Sequence, residues 1–343
     1  MSVRIRELTH QSQAWDAFVR SHPDGTFFHL AAWKTVLESA FGHRTHYIYA
    51  ERDGAVVGVL PLAEVKSLLF GHHLSSTPFC VYGGPVAVDA EAAAALVDEA
   101  RRRAEALRVE DLELRNLRPL SGDWEEKDLY ATFRKTISDD VETNLKAIPR
   151  KQRAMVRKGI KAGLESEEDP DPAVARFYRV YSESVRNLGT PVFSRRYFRI
   201  LKETFGRDCR VLMVRHGEED IAGVMSFYFR DQVLPYYGGS RPAARRLKGN
   251  DFMYWELMRR SAGEGIRFFD FGRSKKNTGA YSFKKNWGFE PEPLHYQYHL
   301  VRAQSVPEVN PNNPKYQRFI RAWKRLPLPV ANTLGPLLAK HLG

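Results

Sequence analysis

The chain has 343 residues, with 53 lysines and arginines against 41 aspartates and glutamates, a net charge of +12. That length exceeds what one hydrophobic core usually serves, so two similar domains are expected. With 43% apolar and 27% charged residues and no low-complexity tract, a disordered or fibrous chain is excluded. Two cysteines, Cys80 and Cys209, leave no disulfide framework and suit a reducing compartment. The start "MSVRIRELTHQSQAW" lacks the apolar core of a signal peptide, and no window approaches a membrane span. A soluble, cytoplasmic protein is expected. Its positive balance favours nucleic acid, nucleotide-sugars or anionic lipid headgroups, or serves solubility alone.

In chain order, the first strong pattern is "FHLAAWKTVLESAFG", where Trp33, Val36, Leu37, Ala40 and Phe41 form the apolar face of a helix ending at Gly42. "THYIYAERDGAVVGVLPLAEV" then reads as strand, Asp53-Gly54 turn and strand. "VYGGP" follows at 81–85, and a helix leads to the strand "LRVEDLELR". The segment 138–172 holds a basic stretch, "RKQRAMVRKGIKAGL", closed by an acidic, proline-bearing turn. Arg150, Arg153, Arg157 and Lys161 fall on one helical face there, with Met155, Val156 and Ile160 mostly opposite. That face is either merely solvated or a contact for a phosphate backbone.

The second half repeats the first. "FSRRYFRILKETFG" places Tyr197, Ile200, Leu201, Thr204 and Phe205 at the same spacing, each offset by 164 from its counterpart, and ends at Gly206. "CRVLMVRHGEEDIAGVMSFYF" repeats the hairpin, Gly223 answers Gly58, "YYGGS" at 236–240 answers "VYGGP", and "IRFFDFGR" answers "LRVEDLELR". The expected class is therefore mixed α/β with antiparallel-rich sheets, in two copies. The expected division is a first domain at 1–135, a linker with its basic helix at 136–172, a second domain at 173–303 and a tail at 304–343, with "VPEVNPNNP" as loop. In the tail, Tyr316, Phe319, Ile320 and Trp323, then Val330, Leu334, Leu337 and Leu338, make apolar stripes beside Lys315, Arg318, Arg321, Lys324 and Arg325. Residues 315–343 suit either docking on the body of the protein or a helix lying on a membrane surface.

The order of elements resembles the GNAT acyltransferase fold. The duplication resembles the Fem-type (FemAB-like) aminoacyltransferases, which carry two GNAT-like domains. The residues that bear the likeness are Asp270 to Phe289, a strand ending "DFGRS" followed by "NTGAYSFKKNWGF", together with "YGGP" and "RKQRAMVRKGIKAGL". The whole chain is more similar to members associated with exosortase (PEP-CTERM) exopolysaccharide loci than to cell-wall bridge enzymes. Fem-type enzymes attach amino acids from aminoacyl-tRNA to a peptidoglycan precursor. The resemblance implies acyl transfer to an amine or hydroxyl of a cell-envelope glycan precursor, nucleotide- or lipid-linked. Aminoacyl-tRNA is the favoured donor, and peripheral contact with the inner membrane surface is in keeping with it.

Acyl transfer builds negative charge on a carbonyl oxygen, which needs a donor. The resemblance assigns this role to Lys284 of the "FK" pair, beside Tyr281 and Trp287 in an ordered loop, with Lys285 as its solvated neighbour. Arg273 and Lys275, just past a strand end, suit a phosphate, and Arg115 is their weaker counterpart in the first half. Tyr281 and Tyr237 complete the expected substrate-binding set. Where some family members carry an acidic residue after a Leu-Arg pair, this chain reads Leu114-Arg115-Asn116, so the general base falls to Asp270 or Glu113, or to the substrate itself.

No metal, cofactor or DNA is expected: the histidine pairs lack ligand spacing, and no phosphate-binding loop or dinucleotide fingerprint is present. The main alternative is an acyl-CoA-dependent GNAT N-acyltransferase. Against it, the nearest match to a pyrophosphate loop, Arg246 to Asp251, puts a carboxylate where a small residue should stand, and Asp251 reads as a helix N-cap. A non-catalytic RNA- or polyanion-binding protein ranks third.

Overall fold

The computed structural model describes residues 2–10, 12–67, 71–306 and 314–342. Residues 307–313 of the segment expected as loop at 306–314, and the side chains of Lys315 and Tyr316, lie outside the described residues. The chain divides into two compact units: Met1–Tyr130 with Pro293–Val309 and Lys340–Gly343, and Ala131–Glu292 with Asn310–Ala339.

In the first unit, Trp15 and Val19 anchor helix Ser12–Ser21, and Trp33, Val36 and Leu37 anchor helix Ala32–Phe41, which stops at Gly42 in the left-handed region. The hairpin Ile48–Arg52 with Ala55–Leu60 follows, with Arg4–Glu7 on one side and Val86–Ala87 on the other, a four-stranded sheet. Helix Ala90–Leu107, capped by Asp89 accepting from the Ala92 N–H, lays Leu96, Ala100 and Ala104 into the core. Leu96 comes so close that a Cβ on Gly58 would stand 2.9 Å from it.

At Pro61, which cannot donate to the ladder, the chain leaves this sheet. It then enters a five-stranded one ordered Leu62–Ser67, Gly71–Ser76, Asp111–Asn116, His295–Leu300 and Glu125–Lys127. Gly71–Ser76 and Asp111–Asn116 run parallel, with Leu74 opposite Leu112.

The second unit repeats the order of elements. Helices Ala173–Leu188 and Arg195–Phe205 precede the hairpin Cys209–His216 with Glu219–Phe229, then Gln232–Ser240, helix Gly249–Gly263 and strand Phe268–Asp270. These strands lie in one continuous sheet with Glu165–Glu168 at its edge, and Gln232–Ser240 runs parallel to Phe268–Asp270. Cys80 and Cys209 are buried thiols, and burial pushes Cys209 up.

The division differs from the sequence expectation because the last strand of each copy is exchanged. His295–Leu300, from the end of the chain, pairs antiparallel with Asp111–Asn116 in the first unit. Tyr130–Thr136 pairs antiparallel with Phe268–Asp270 in the second. The stretch 136–172 is likewise no free linker. Its helix Arg150–Lys161 inserts Val156 and Gly159 into the second core, where a Cβ on Gly159 would stand 2.8 Å from Phe252. Gly159, having no side chain, brings the helices close, and Ile160 stays outside, 49% exposed, although it falls opposite the basic stripe.

Candidate active site

Strand Phe268–Asp270 ends in a turn, Phe271 to Arg273, that reverses at Gly272 with φ of +63°. Asp270 is buried, and its Oδ1 accepts from the Gly272 N–H at 2.7 Å. The residues expected as an ordered loop form instead a short helix, Gly279–Asn286. Thr278 sets its start: its Oγ1 accepts from the Tyr281 N–H at 3.3 Å and donates to the Lys275 carbonyl at 2.8 Å.

This helix turns Lys284 back onto the strand end. Its Nζ donates to the carbonyls of Phe271, Gly272 and Arg273 at 2.7, 2.9 and 3.0 Å. The rings of Phe133 and Phe271 lie 5.4 and 6.0 Å from it. Burial among them pushes the ammonium down to about 7, while the charge of Asp270 opposes that shift and Arg273 adds to it. An ammonium with all three protons on peptide oxygens fixes the turn, and it is one whose charge changes near neutral pH.

Around Lys284, Arg273 and Lys275 are half-buried in the turn and Lys285 is exposed. Tyr281 packs edge-on against Phe133, ring centroids 5.2 Å apart. Asp270 also lines a groove of about 390 Å³ with Arg134, Lys135, Gln232 and Glu292, in which burial lowers Lys135. Nothing in the sequence pattern singled out Lys135, because its surroundings depend on the exchanged strand.

Tyr237, expected on the substrate, sits in the aromatic core instead. It is boxed by Tyr181, Phe193 and Phe198, and its hydroxyl shares a 2.7 Å hydrogen bond with Tyr197. Asp251 is not the N-cap expected of it: the helix begins at Gly249 after Lys248. Its carboxylate accepts from Trp287 Nε1 at 3.1 Å, and burial raises its pKa. The preceding residues form helix Pro242–Leu247, not an open pyrophosphate loop.

In the first unit the corresponding strand end is closed. Arg115 donates to Glu113 Oε2 at 2.8 Å and to the Cys80 carbonyl at 2.8 Å. Glu113 also accepts from Ser75 at 3.0 Å and Tyr298 at 2.9 Å, so both its oxygens are engaged. Burial, and then that carboxylate, push the Tyr298 hydroxyl up. Beside it lies a cavity of about 140 Å³ lined by His29, Gly83, Gly84, Arg115 and Asn116.

His29 Nδ1 accepts from the Thr26 N–H at 3.2 Å, which leaves Nε2–H to donate to the Gly84 carbonyl at 2.9 Å. Burial pushes this imidazole down to about 4, so it is neutral. Its signal in the sequence was the Thr26-x-x-His29 spacing of a capping box.

The basic helix carries Arg150, Arg153, Arg157, Lys158 and Lys161 around an open groove of about 440 Å³. Lys158 lies off the narrow stripe that the spacing of the other four defines. Among the described residues none of these five forms an ion pair or a side-chain hydrogen bond, and helix Arg150–Lys161 contains no acidic residue. Elsewhere in the same unit, Arg176, Arg210, Arg215, Arg241 and Arg259 are all paired to carboxylates. In the first unit His46 and His72 share Glu64 at 2.7 and 2.8 Å; among the described residues no group of three or more forms a metal-type cluster.

Residues 150–285 match the family model described as an acetyltransferase (GNAT) domain, a segment inside the second unit. The fold is the GNAT fold in tandem, and the match supports an acyltransferase. Among solved structures, FemX is similar at a TM-score of 0.65 and 18% identity, over 92% of this chain and 100% of that one. A tandem GNAT protein from the clavulanic acid biosynthesis pathway is similar at 0.53 and 13%, over 90% and 100%. The C-terminal domain of a protein provisionally named lysylphosphatidylglycerol synthetase, from Agrobacterium fabrum, is similar at 0.56 and 12%, over 84% and 90%. No curated protein matches the sequence.

Proposed function

We propose that the protein transfers an aminoacyl group from aminoacyl-tRNA to an amine, or a hydroxyl, of a cell-envelope glycan precursor of the peptidoglycan or exopolysaccharide type. The precursor is nucleotide- or lipid-linked. The observation that carries the donor is the unpaired basic helix. Cations three or four residues apart on a helix advance by about 4.5–6 Å, a spacing suited to successive phosphates of a nucleic-acid backbone. CoA offers one pyrophosphate and asks for a loop of N–H groups at a helix start, where this chain has a preceding helix and the Asp251 carboxylate. Acyl-CoA is accordingly the second reading. The similarity in fold to FemX, over nearly the whole chain, is in keeping with the first.

In the transfer, the acceptor nitrogen attacks the ester carbonyl and a C–N bond forms. The C–O bond to the ribose breaks, and the nitrogen's proton ends on the leaving ribose oxygen. Lys284 serves the intermediate. A developing oxyanion is a stronger acceptor than a peptide carbonyl, so one of the three Nζ–H bonds moves to it while the other two hold the turn. Asp270 stands behind this turn as the candidate base, and Arg273 and Lys275 at its rim as contacts for the precursor's phosphates.

The test is transfer of radiolabel. Purified protein is incubated with total tRNA charged with labelled amino acids and with nucleotide- or lipid-linked glycan precursors. Label should appear in the glycan. Label arriving from acetyl-CoA and never from tRNA would replace this reading with the second.

A further inference from the structure

The sequence from Lys315 to His341 contains six lysines and arginines (Lys315, Arg318, Arg321, Lys324, Arg325, Lys340) and no aspartate or glutamate. Within the second unit it forms helices Pro314–Lys324 and Leu328–Ala339, both packed on helix Ala173–Leu188. The inner stripe of Leu328–Ala339 consists of small residues at intervals of four, Ala331, Gly335 and Ala339. Gly335 lies so close that a Cβ there would meet the Val192 backbone at 2.9 Å. Asn332 donates to Ser182 at 3.4 Å, and Arg186 donates to the carbonyls of Lys324 and Leu326 at 3.4 and 3.3 Å. Trp323 is buried. The docking expected of this segment is thus made by small residues and by Trp323.

That docking leaves the larger apolar side chains outside. Val330, Leu334 and Leu337 follow one another at four and three residues along the outer face, 41%, 43% and 59% exposed. Phe319 stacks on Trp323 with 41% of its surface in solvent, and Leu188, beside the Gly189 that meets Ile320, is 68% exposed. A helix that faces water carries polar residues on that face. Single exposed leucines are common, but a row of them is a contact surface. On helix Pro314–Lys324 and just after it, Arg318, Arg321, Lys324 and Arg325 are exposed, and among the described residues none has a carboxylate within ion-pair distance.

We propose that this face rests on an anionic lipid bilayer surface. Phe319, Val330, Leu334 and Leu337 enter the boundary between headgroups and acyl chains, and the flanking arginines and lysines meet lipid phosphates. Charge selects the occupant. A second copy docked symmetrically on the same face would bring like cations together. A nucleic acid would gain nothing from a row of aliphatic side chains. No described helix is long and apolar enough to cross a membrane, so the contact lies at the surface. This inference is independent of the donor and acceptor proposed above.

The full-length protein should co-sediment with phosphatidylcholine vesicles containing phosphatidylglycerol at low salt, much less at high salt, and weakly with pure phosphatidylcholine. Leu334→Glu/Leu337→Glu should lower partitioning about tenfold or more with an unchanged thermal midpoint. Arg318→Glu/Arg321→Glu should remove the salt-sensitive part. Both variants should bind a tRNA hairpin as the parent does, so loss of vesicle binding and loss of RNA binding report on different surfaces. Equal vesicle binding by parent and both variants would overturn the proposal. So would a parent that ignores vesicles but forms a dimer which Leu334→Glu/Leu337→Glu dissociates.

Discussion

In the second unit, strand Glu219–Phe229 runs unbroken for 11 residues and strand Gln232–Ser240 for 9. Their counterparts in the first unit are interrupted, one at Pro61 and the other by the excursion from Thr77 to Pro85. The interruption carries Gly83 and Gly84 against the end of the parallel strand, where both N–H groups donate to the Arg115 carbonyl at 3.1 Å. Around Arg115 the polar groups then satisfy one another. In the second unit the equivalent strand end is held by a single ammonium, drawn from a helix, whose protons rest on peptide oxygens. At these two strand ends one copy spends its charges on its own structure, and the other carries a cation whose charge changes near neutral pH. The proposed chemistry falls on the second.

If the first copy's strand end is structural, breaking it costs stability before it costs catalysis. Arg115→Ala leaves the Glu113 carboxylate without its counter-charge and should destabilise the fold by about 3–5 kcal/mol in denaturant titration. An unchanged midpoint with lost turnover would move Arg115 to the working site. In the second copy the order reverses. Lys284→Ala should lower turnover about 10²-fold while the protein still folds, and the exposed Lys285→Ala should change it by less than about twofold. Equal, mild losses in both would reduce the pair to an ordinary basic surface.

Smaller effects sharpen the same contrast. A methyl group on Gly84 would fall 1.8 Å from Asn116 Oδ1, whereas one on Gly279 meets open space. Gly84→Ala should cost about 1–3 kcal/mol in thermal or chemical unfolding, and Gly279→Ala should change the midpoint far less. Tyr237→Phe removes one shared hydroxyl contact in the core and should cost about 1 kcal/mol or less with substrate KM unchanged. A raised KM would return Tyr237 to the substrate.

Much of this contrast was legible in the sequence. The apolar stripes of Trp33 to Phe41 and Tyr197 to Phe205, and the two hairpins, are local patterns, and local patterns survive folding. The exchange of Tyr130–Thr136 and His295–Leu300 was not legible, because strand pairing is decided by hydrogen bonds across 130 or more positions of chain. Gly159 gives no signal in a periodicity that counts apolar side chains and not the lack of one. Lys284 was singled out by its motif. The three carbonyls that bind it, and the helix that aims it, depend on the positive φ at Gly272 and on the Thr278 cap, which no spacing rule joins. The closure of Arg115 was hidden for the same reason, since its partners come from Ser75, Cys80 and the distant Tyr298.

The most direct test is the pH dependence of the transfer rate in the wild-type protein beside Lys284→Arg. With the ammonium as the working form and a folded value of about 7, the ratio of the wild-type rate to that of the arginine variant should be level below that pH and fall about tenfold per unit above it, since the acceptor amine's own titration is common to both. Stability supplies the companion readout. The folded value lies below the ordinary 10.5, so between these two pH values the unfolded chain binds more protons than the folded one. Wild-type stability should therefore rise through that window, and Lys284→Met should lack that increment. A ratio that stays flat through pH 9, with no difference in stability slope between wild type and Lys284→Met, would contradict a charged Lys284 at the centre of the reaction.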